Sequence, residues 1–334
     1  MVEIHPDRLR EIMRGGVGKR ILIVGDLMLD RYLWGNVSRI SPEAPVPIIN
    51  IEDQDEEVRF GGAANVANNV IGLRGEPVLV GTVGEDSWGE IFRQRLSQKN
   101  LVPDGLIADP SRPTTLKTRI IGNNQHIARV DREKILPIDA SVQSRIFRFI
   151  EGMISDIDAI ILEDYNKGVL VPELVRNIID LANRRQKIVT VDPKFDNFFE
   201  FRNVALFKPN KKETEEALAM RLDSDESIER AGNMLLDRLN AGAVLITLGS
   251  RGMALFRKNK PAAFEGTRAR EVADVSGAGD TVIATVSFAL AAGATMKEAV
   301  TLANYAAGVV CEEVGAVPIE HEQLMEAVLF RSRP

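Results

Sequence analysis

Asp274-Val275-Ser276-Gly277-Ala278-Gly279-Asp280, followed at once by the apolar stretch Thr281–Ala292, decides how the rest of this chain is read. Two glycines separated by one small residue let a backbone turn tightly and approach a ligand. The helix expected over Thr281–Ala292 aims its unpaired N–H groups and the positive end of its dipole at the same point. That combination binds anions, phosphate above all. A carboxylate placed like Asp280, at the start of the helix, either caps it or, beside an anion hole, takes a proton from a hydroxyl attacking a γ-phosphate.

Outward from that stretch, short apolar runs recur, each closed by Gly or a polar residue: Ile21–Val24, Val78–Val83, Ala159–Leu162, Ile188–Val191, Val204–Phe207 and Val244–Leu248. Their length and β-branched content suit strands buried on both faces. Helical patterns lie between them, over Ala63–Leu73, Trp88–Lys99, Ala140–Ile154, Pro172–Arg185 and Ser227–Leu239. This alternation predicts an α/β fold: a doubly wound, mostly parallel sheet flanked by helices, with ligands at the carboxyl ends of the strands. Two segments, 31–60 and 114–131, break the alternation and are expected to form a small β lid. In the second, Asn123-Asn124 reads as a hairpin turn. The acidic run Glu52–Glu57 is expected as a solvated turn of the lid. Gly15-Gly16-Val17-Gly18-Lys19 lacks phosphate-loop spacing and precedes a strand instead of following one.

A length of 334 residues fits two domains of roughly 150 residues or one large one; the motif order favours one domain over 1–334 plus the lid. Hydrophobic residues at 45% supply a sizeable core and exclude general disorder. The formal net charge of -6 argues against a broad nucleic-acid surface and leaves room for a local basic pocket. One cysteine, Cys311, excludes an intramolecular disulfide, and three histidines (His5, His126, His321) argue against a Cys/His zinc site. The most apolar stretch, Thr281–Met296, is short and broken by Thr, Ser and Gly, so no membrane span is expected. The amino-terminal residues show no leader pattern, and the expected setting is cytoplasmic.

Asp274–Asp280 resembles the C-terminal signature of the ribokinase-like (PfkB) carbohydrate kinases, with Ser276 where many members have Thr. Phe60-Gly61-Gly62-Ala63-Ala64-Asn65-Val66-Ala67 resembles their N-terminal signature. The resemblance implies roles along the chain. Asp280 would be the catalytic base, and the N–H groups of Gly277, Ala278 and Gly279 would stabilise the transferred phosphoryl group. Gly61, Gly62 and Asn65, with Asp26 and Asp30 after the first strand, would meet the hydroxyls of a sugar. Lys208, Asn210 and Glu213 would lie at the ATP site, where Asn-x-x-Glu either positions water around Mg²⁺ or simply caps a helix. Thr247, Gly249 and Gly252 match a second nucleotide loop, and Asn304 falls where members line the adenine pocket. The resemblance also suggests a monovalent cation, K⁺, near Asp274 and the Val314–Pro318 loop, and a homodimer formed through the lid.

Further stretches resemble one branch of that family: Gly25-Asp26-Leu27-Met28-Leu29-Asp30-Arg31-Tyr32, Ser38–Pro47, Lys117-Thr118-Arg119, Glu163-Asp164-Tyr165-Asn166-Lys167-Gly168 and Val191-Asp192-Pro193-Lys194. That branch phosphorylates the anomeric hydroxyl of D-glycero-β-D-manno-heptose 7-phosphate, a step toward ADP-heptose for lipopolysaccharide. Its substrate already carries a phosphate, so cations are needed beside the sugar, and Lys194, Lys117 and Arg119 are the candidates. Many members of the branch add a nucleotidyltransferase domain with a His-x-Gly-His motif. No histidine here stands in one, so the expectation is kinase activity without adenylyltransfer, from a standalone enzyme or an excised domain. Two other readings remain open: a kinase for another sugar or sugar phosphate, and a non-catalytic sugar-binding protein on the same fold.

Overall fold

The structure is a computed structural model and describes residues 4–269 and 272–331. The first part of the chain forms α1 (Pro6–Gly16), β1 (Arg20–Gly25), β2 (Leu27–Ile40), β3 (Pro47–Asn50), β4 (Glu56–Gly62), α2 (Ala63–Gly72), β5 (Glu76–Val83) and α3 (Ser87–Gln98). Next come β6 (Leu106–Ala108), β7 (Thr115–Gly122), β8 (Gln125–Arg132), α4 (Ala140–Met153), β9 (Ala159–Glu163), α5 (Pro172–Arg184), β10 (Ile188–Asp192) and β11 (Leu206–Phe207). The last part forms α6 (Lys211–Leu218), α7 (Asp225–Leu239), β12 (Ala243–Thr247), β13 (Met253–Arg257), β14 (Ala263–Glu265), α8 (Ala278–Ala291), α9 (Met296–Val310) and α10 (His321–Arg331).

Nine strands join in the order β14-β13-β12-β11-β10-β9-β1-β5-β6. From β12 to β6 all neighbours are parallel, while β13 and β14 return antiparallel at one edge. The continuous apolar runs have a direct cause in β1. Ile21 and Ile23 enter the core packed with α1, α2, α8, α9 and α10, whereas Leu22 and Val24 enter the core packed with α4, α5 and α7. A strand between two helical layers must be apolar at every position. Truncating one of these buried side chains to Ala costs about 2–5 kcal/mol.

The lid is a five-stranded sheet in which β2 is the organising strand. Its first half pairs antiparallel with β4 and parallel with β7, and its second half pairs with β3. Only Asp26 separates β1 from β2, so the lid grows directly out of the central sheet. The β7–β8 turn places Asn123 and Asn124 at φ 51° and 63°, the left-handed pair that a two-residue hairpin demands. The acidic run differs from expectation. Asp53–Asp55 is a short turn, but Glu56 and Glu57 lie in β4 and pair with Arg31 (2.8 Å) and Arg59 (2.6 Å). The Gly15–Lys19 stretch closes α1, and a Cβ on Gly16 would lie 2.1 Å from the Phe288 ring, so close packing accounts for that glycine.

Candidate active site

Gly277, at φ 78°, turns the chain into α8, and a Cβ there would sit 2.9 Å from Asn65 Nδ2. Only glycine tolerates both conditions. The helix opens at Ala278, three residues before its expected start, so Asp280 lies in its first turn and is not its cap. The Ala278 N–H already bonds to the Val275 carbonyl at 3.3 Å. This departs from the expected three-donor hole: Gly277 and Gly279 are the donors left to carry it.

Asp280 is buried, and each of its oxygens accepts one hydrogen bond: Oδ2 from Asn65 Nδ2 (2.7 Å) and Oδ1 from the Tyr165 hydroxyl (2.8 Å). Burial raises the Asp280 carboxyl to about 6 against the pull of these two donors, with Asp192 adding to the rise and Lys208 opposing it. A base near 6 is ionised at neutral pH and still basic enough to take a hydroxyl proton. Asn65 comes from α2, which is tied to α8 by Thr281 Oγ1 donating to Asn69 Oδ1 (2.9 Å). Tyr165 follows β9 and its role was not legible beforehand. Its place at a strand's carboxyl end was the available signal.

On the sheet side, Lys208 and Asp192 form a buried pair at 2.7 Å. They lie beneath Gly279, where an added Cβ would be 3.5 Å from Lys208 Nζ and 3.6 Å from Asp192 Oδ2. Lys194 pairs with Glu213 and stands 5.5 Å from the Tyr165 ring centroid. Burial works to lower the Lys194 ammonium, but Asp192, Glu213 and Glu163 hold it well above its ordinary value. Lys194 therefore lines the cleft on the sheet side of Asp280, with Lys208 and Asn210, and not the lid pocket. Of the two readings of Asn-x-x-Glu, the structure shows the cap. Asn210 Oδ1 accepts from Glu213 N (2.9 Å) and Glu213 Oε2 accepts from Asn210 N (2.8 Å). Its other oxygen accepts from Lys194 Nζ, so each Glu213 oxygen carries one hydrogen bond. The oxygen cluster is elsewhere: atoms of Glu163, Asp192 and Asp280 lie within 4.8 Å of one another, and Glu163 Oε2 is buried without a hydrogen-bond partner. Burial, then Asp192 and Asp280, pushes the Glu163 carboxyl far up. The cleft continues into a cavity of about 240 Å³ lined by Thr247, Gly249, Gly252, Asn304 and Cys311. Asn304 is fixed there by donating to the Gly266 carbonyl (2.8 Å).

On the lid side, a pocket of about 400 Å³ is bounded by Asp30, Gly61, Gly62, Asn65, Lys117 and Arg119, and its floor is Asp280. Asp30 pairs with Arg119, and Lys117 pairs with Asp131 (3.2 Å) and Glu133 (3.4 Å). Two guanidinium groups, Arg59 and Arg119, lie 5.1 and 5.2 Å from the Tyr32 ring centroid. Arg59, Tyr32, His126 and Arg129 line this pocket and were missed. For Arg59 the signal was present: Val58 and Phe60 are buried, so strand alternation turns Arg59 to the opposite face. Asp26 is a correction. It is buried outside the pocket, and its carboxylate accepts backbone N–H groups of residues 165–169 in place of sugar hydroxyls. Asp274 accepts from Ser276 N (2.9 Å) and Gly315 N (3.1 Å), which brings the Val314–Pro318 loop to the mouth of the site.

A cleft for an extended anionic ligand and a lidded polar pocket, meeting at one carboxylate, make the layout of a small-molecule kinase. Residues 19–322 match the pfkB family carbohydrate kinase, and the chain belongs to that family. It is 42% identical over 306 residues to the bifunctional protein HldE of Helicobacter pylori (strain G27), covering 92% of this chain and 65% of that protein. It thus spans under two thirds of that relative's length. In fold it is similar to Arabidopsis thaliana ribokinase complexed with ribose and ATP (TM-score 0.71, 18% identity, 94% of this chain and 99% of that one). It is likewise similar to phosphofructokinase-2 from Escherichia coli in complex with potassium (TM-score 0.75, 19% identity, 95% and 100%). Among the described residues no helix is long and apolar enough to cross a membrane.

Proposed function

We propose that this carbohydrate kinase transfers the γ-phosphoryl group of ATP to the anomeric C1 hydroxyl of D-glycero-β-D-manno-heptose 7-phosphate, giving the 1,7-bisphosphate for ADP-heptose synthesis in the cytoplasm. The observation that carries the reading is Asp280, held by Asn65 and Tyr165 at the junction of the two half-sites. The sugar occupies the lid pocket, with Asp30, Gly61, Gly62 and Asn65 at its hydroxyls. Lys117 and Arg119, joined by Arg59, face its distal phosphate. Arginine suits that task because its planar fork matches phosphate oxygens. The heptose is supported by the branch resemblance at residues 25–32, 38–47 and 163–168 and by the likeness to HldE.

ATP lies along the sheet-side cleft, its base by Asn304 and its phosphates toward Lys208, Lys194, Gly249 and Gly252. Asp280 takes the C1 proton as that oxygen attacks the γ-phosphorus in line, the bond to the bridging oxygen breaks and ADP leaves, and the Gly277 and Gly279 N–H groups donate hydrogen bonds to the oxygens of the moving phosphoryl group. Closure of the lid keeps water from the γ-phosphate. The all-oxygen set of Glu163 and Asp192, with Glu163 Oε2 unpartnered, fits Mg²⁺. When bound there, Mg²⁺ supplies neutralisation of phosphate charge. The family resemblance favours K⁺ near Asp274 and the Val314–Pro318 loop, which the Gly315 N–H donating to Asp274 Oδ2 brings together. Pairing of two lids in a homodimer accords with the exposed Ile40, Val46, Ile127 and Val130.

The test is an ATP-coupled assay over a sugar-phosphate panel. Turnover of heptose 7-phosphate above all others is expected. Turnover of ribose or fructose 6-phosphate without heptose 7-phosphate would sink the assignment.

A further inference from the structure

Asp26 lies outside both half-sites, yet both donors to Asp280 are attached to it. Its Oδ2 accepts from the backbone N–H of Tyr165 (2.9 Å) and Lys167 (3.0 Å), and its Oδ1 from that of Val169 (3.1 Å). This fixes the segment that carries the Tyr165 hydroxyl. The Asp26 carbonyl oxygen accepts from Ala63 N (3.1 Å), the first residue of α2. Two residues on, α2 carries Asn65. The side chain of one residue thus leads to Asp280 Oδ1 through Tyr165, and its backbone leads to Asp280 Oδ2 through Asn65. Arg112, itself buried, braces the same segment by donating to the Lys167 carbonyl (2.9 Å) while paired with Asp109 (2.7 Å).

A buried aspartate with three backbone donors would stabilise any loop. What distinguishes this one is that its two attachments end on the two oxygens of a single carboxylate. An ionised carboxylate has about four lone-pair positions. With one on each oxygen taken, the direction left for an incoming hydroxyl depends on where Tyr165 and Asn65 stand. We propose that Asp26 is the positioning residue of the catalytic base, setting the direction of the Asp280 carboxylate through Tyr165 and α2. This rests on the reading of Asp280 as the base.

The test is a double-mutant cycle on the full chain, with ATP and whichever sugar phosphate of the panel the wild type turns over. Asp26→Asn preserves size and the carbonyl that holds Ala63, but turns an N–H toward the amides of 165–169. Because a displacement near 1 Å costs about 100-fold, kcat should fall roughly 10- to 100-fold with both KM values little changed. Tyr165→Phe should fall similarly, and the double variant no further than the larger single. Additive losses would show that Asp26 acts independently of Tyr165 and would overturn the proposal. So would wild-type kcat in folded Tyr165→Phe, whatever Asp26→Asn does. Should Asp26→Asn not fold, Tyr165→Phe decides: lost kcat at unchanged KM supports the proposal. Undiminished turnover in Asp280→Asn is a separate result, and would remove the base reading itself.

Discussion

The two sides of Asp280 handle charge in opposite ways. The sheet side holds a pair almost wholly removed from water, Lys208–Asp192, with side chains 3% and 6% exposed, next to the more open Lys194–Glu213 pair. The lid side holds several cations, each beside a carboxylate and all more exposed than Lys208: Lys117, Arg119, Arg59 and Arg129 have side-chain exposures of 15%, 22%, 33% and 59%. A buried pair is rigid, and losing one partner leaves a charge stranded in low dielectric. A solvated pair contributes about 0–1 kcal/mol and can exchange its carboxylate for a ligand phosphate. The sheet side is therefore suited to a ligand that never changes, and the lid side to one that selection can alter.

Substitutions on each side should break this contrast if it is wrong. The largest expected effect sits at the junction. Asp280→Asn should lower kcat roughly 10²- to 10⁴-fold, with ligand binding by calorimetry largely retained. Lys208→Met, which strands Asp192, should reduce stability by about 3–5 kcal/mol in urea unfolding. A loss under about 1 kcal/mol would place that pair with the solvated ones. Arg119→Ala should leave unfolding within about 1 kcal/mol of wild type. It should raise KM for the phosphorylated sugar roughly tenfold, an effect that shrinks with added salt. Equal effects on a neutral sugar would refute its role at the phosphate. The smallest effect concerns pH. If Asp280 acts as the proposed base it works ionised, and because burial lifts it to about 6, kcat/KM should fall as pH drops through that value. Asn65→Ala removes a donor that favours the charged form, so this limb should move to higher pH. The substrate's own phosphate titration would stay put, which lets the comparison identify Asp280.

The sheet was legible because its strands are buried on both faces, and Ile21–Val24 or Ala159–Leu162 permit few other readings. The lid was legible from what it lacked, a helical period, and from the Asn123-Asn124 turn. Helix α1 and strands β13 and β14 went unnoticed. The site was legible where chemistry and local geometry coincide, as at Gly277 and Asp280. It was illegible where a role depends on which atoms the fold brings near. Asp26 has the residue type of a sugar ligand, and only the return of residues 165–169 shows that backbone amides occupy it. Lys194 has the charge for a distal phosphate, and only Glu213 and Tyr165 show on which side of Asp280 it stands. Glu213 satisfied two patterns at once, and the structure shows the capping box among them.

The clasp on Asp280 spans unusual distances along the chain. Asn65 and Tyr165 are 215 and 115 residues from it, and each contact closes a loop of that length. Such closures are slow because chain entropy opposes them until most of the sheet is in place. Until then the Asp280 carboxylate is an ordinary solvated acid beside an unformed glycine turn, with nothing to orient it. A nascent or partly folded chain would hold ATP, if at all, without consuming it. In refolding, phosphotransfer should return after the helical circular dichroism signal, and simultaneous recovery would contradict this order.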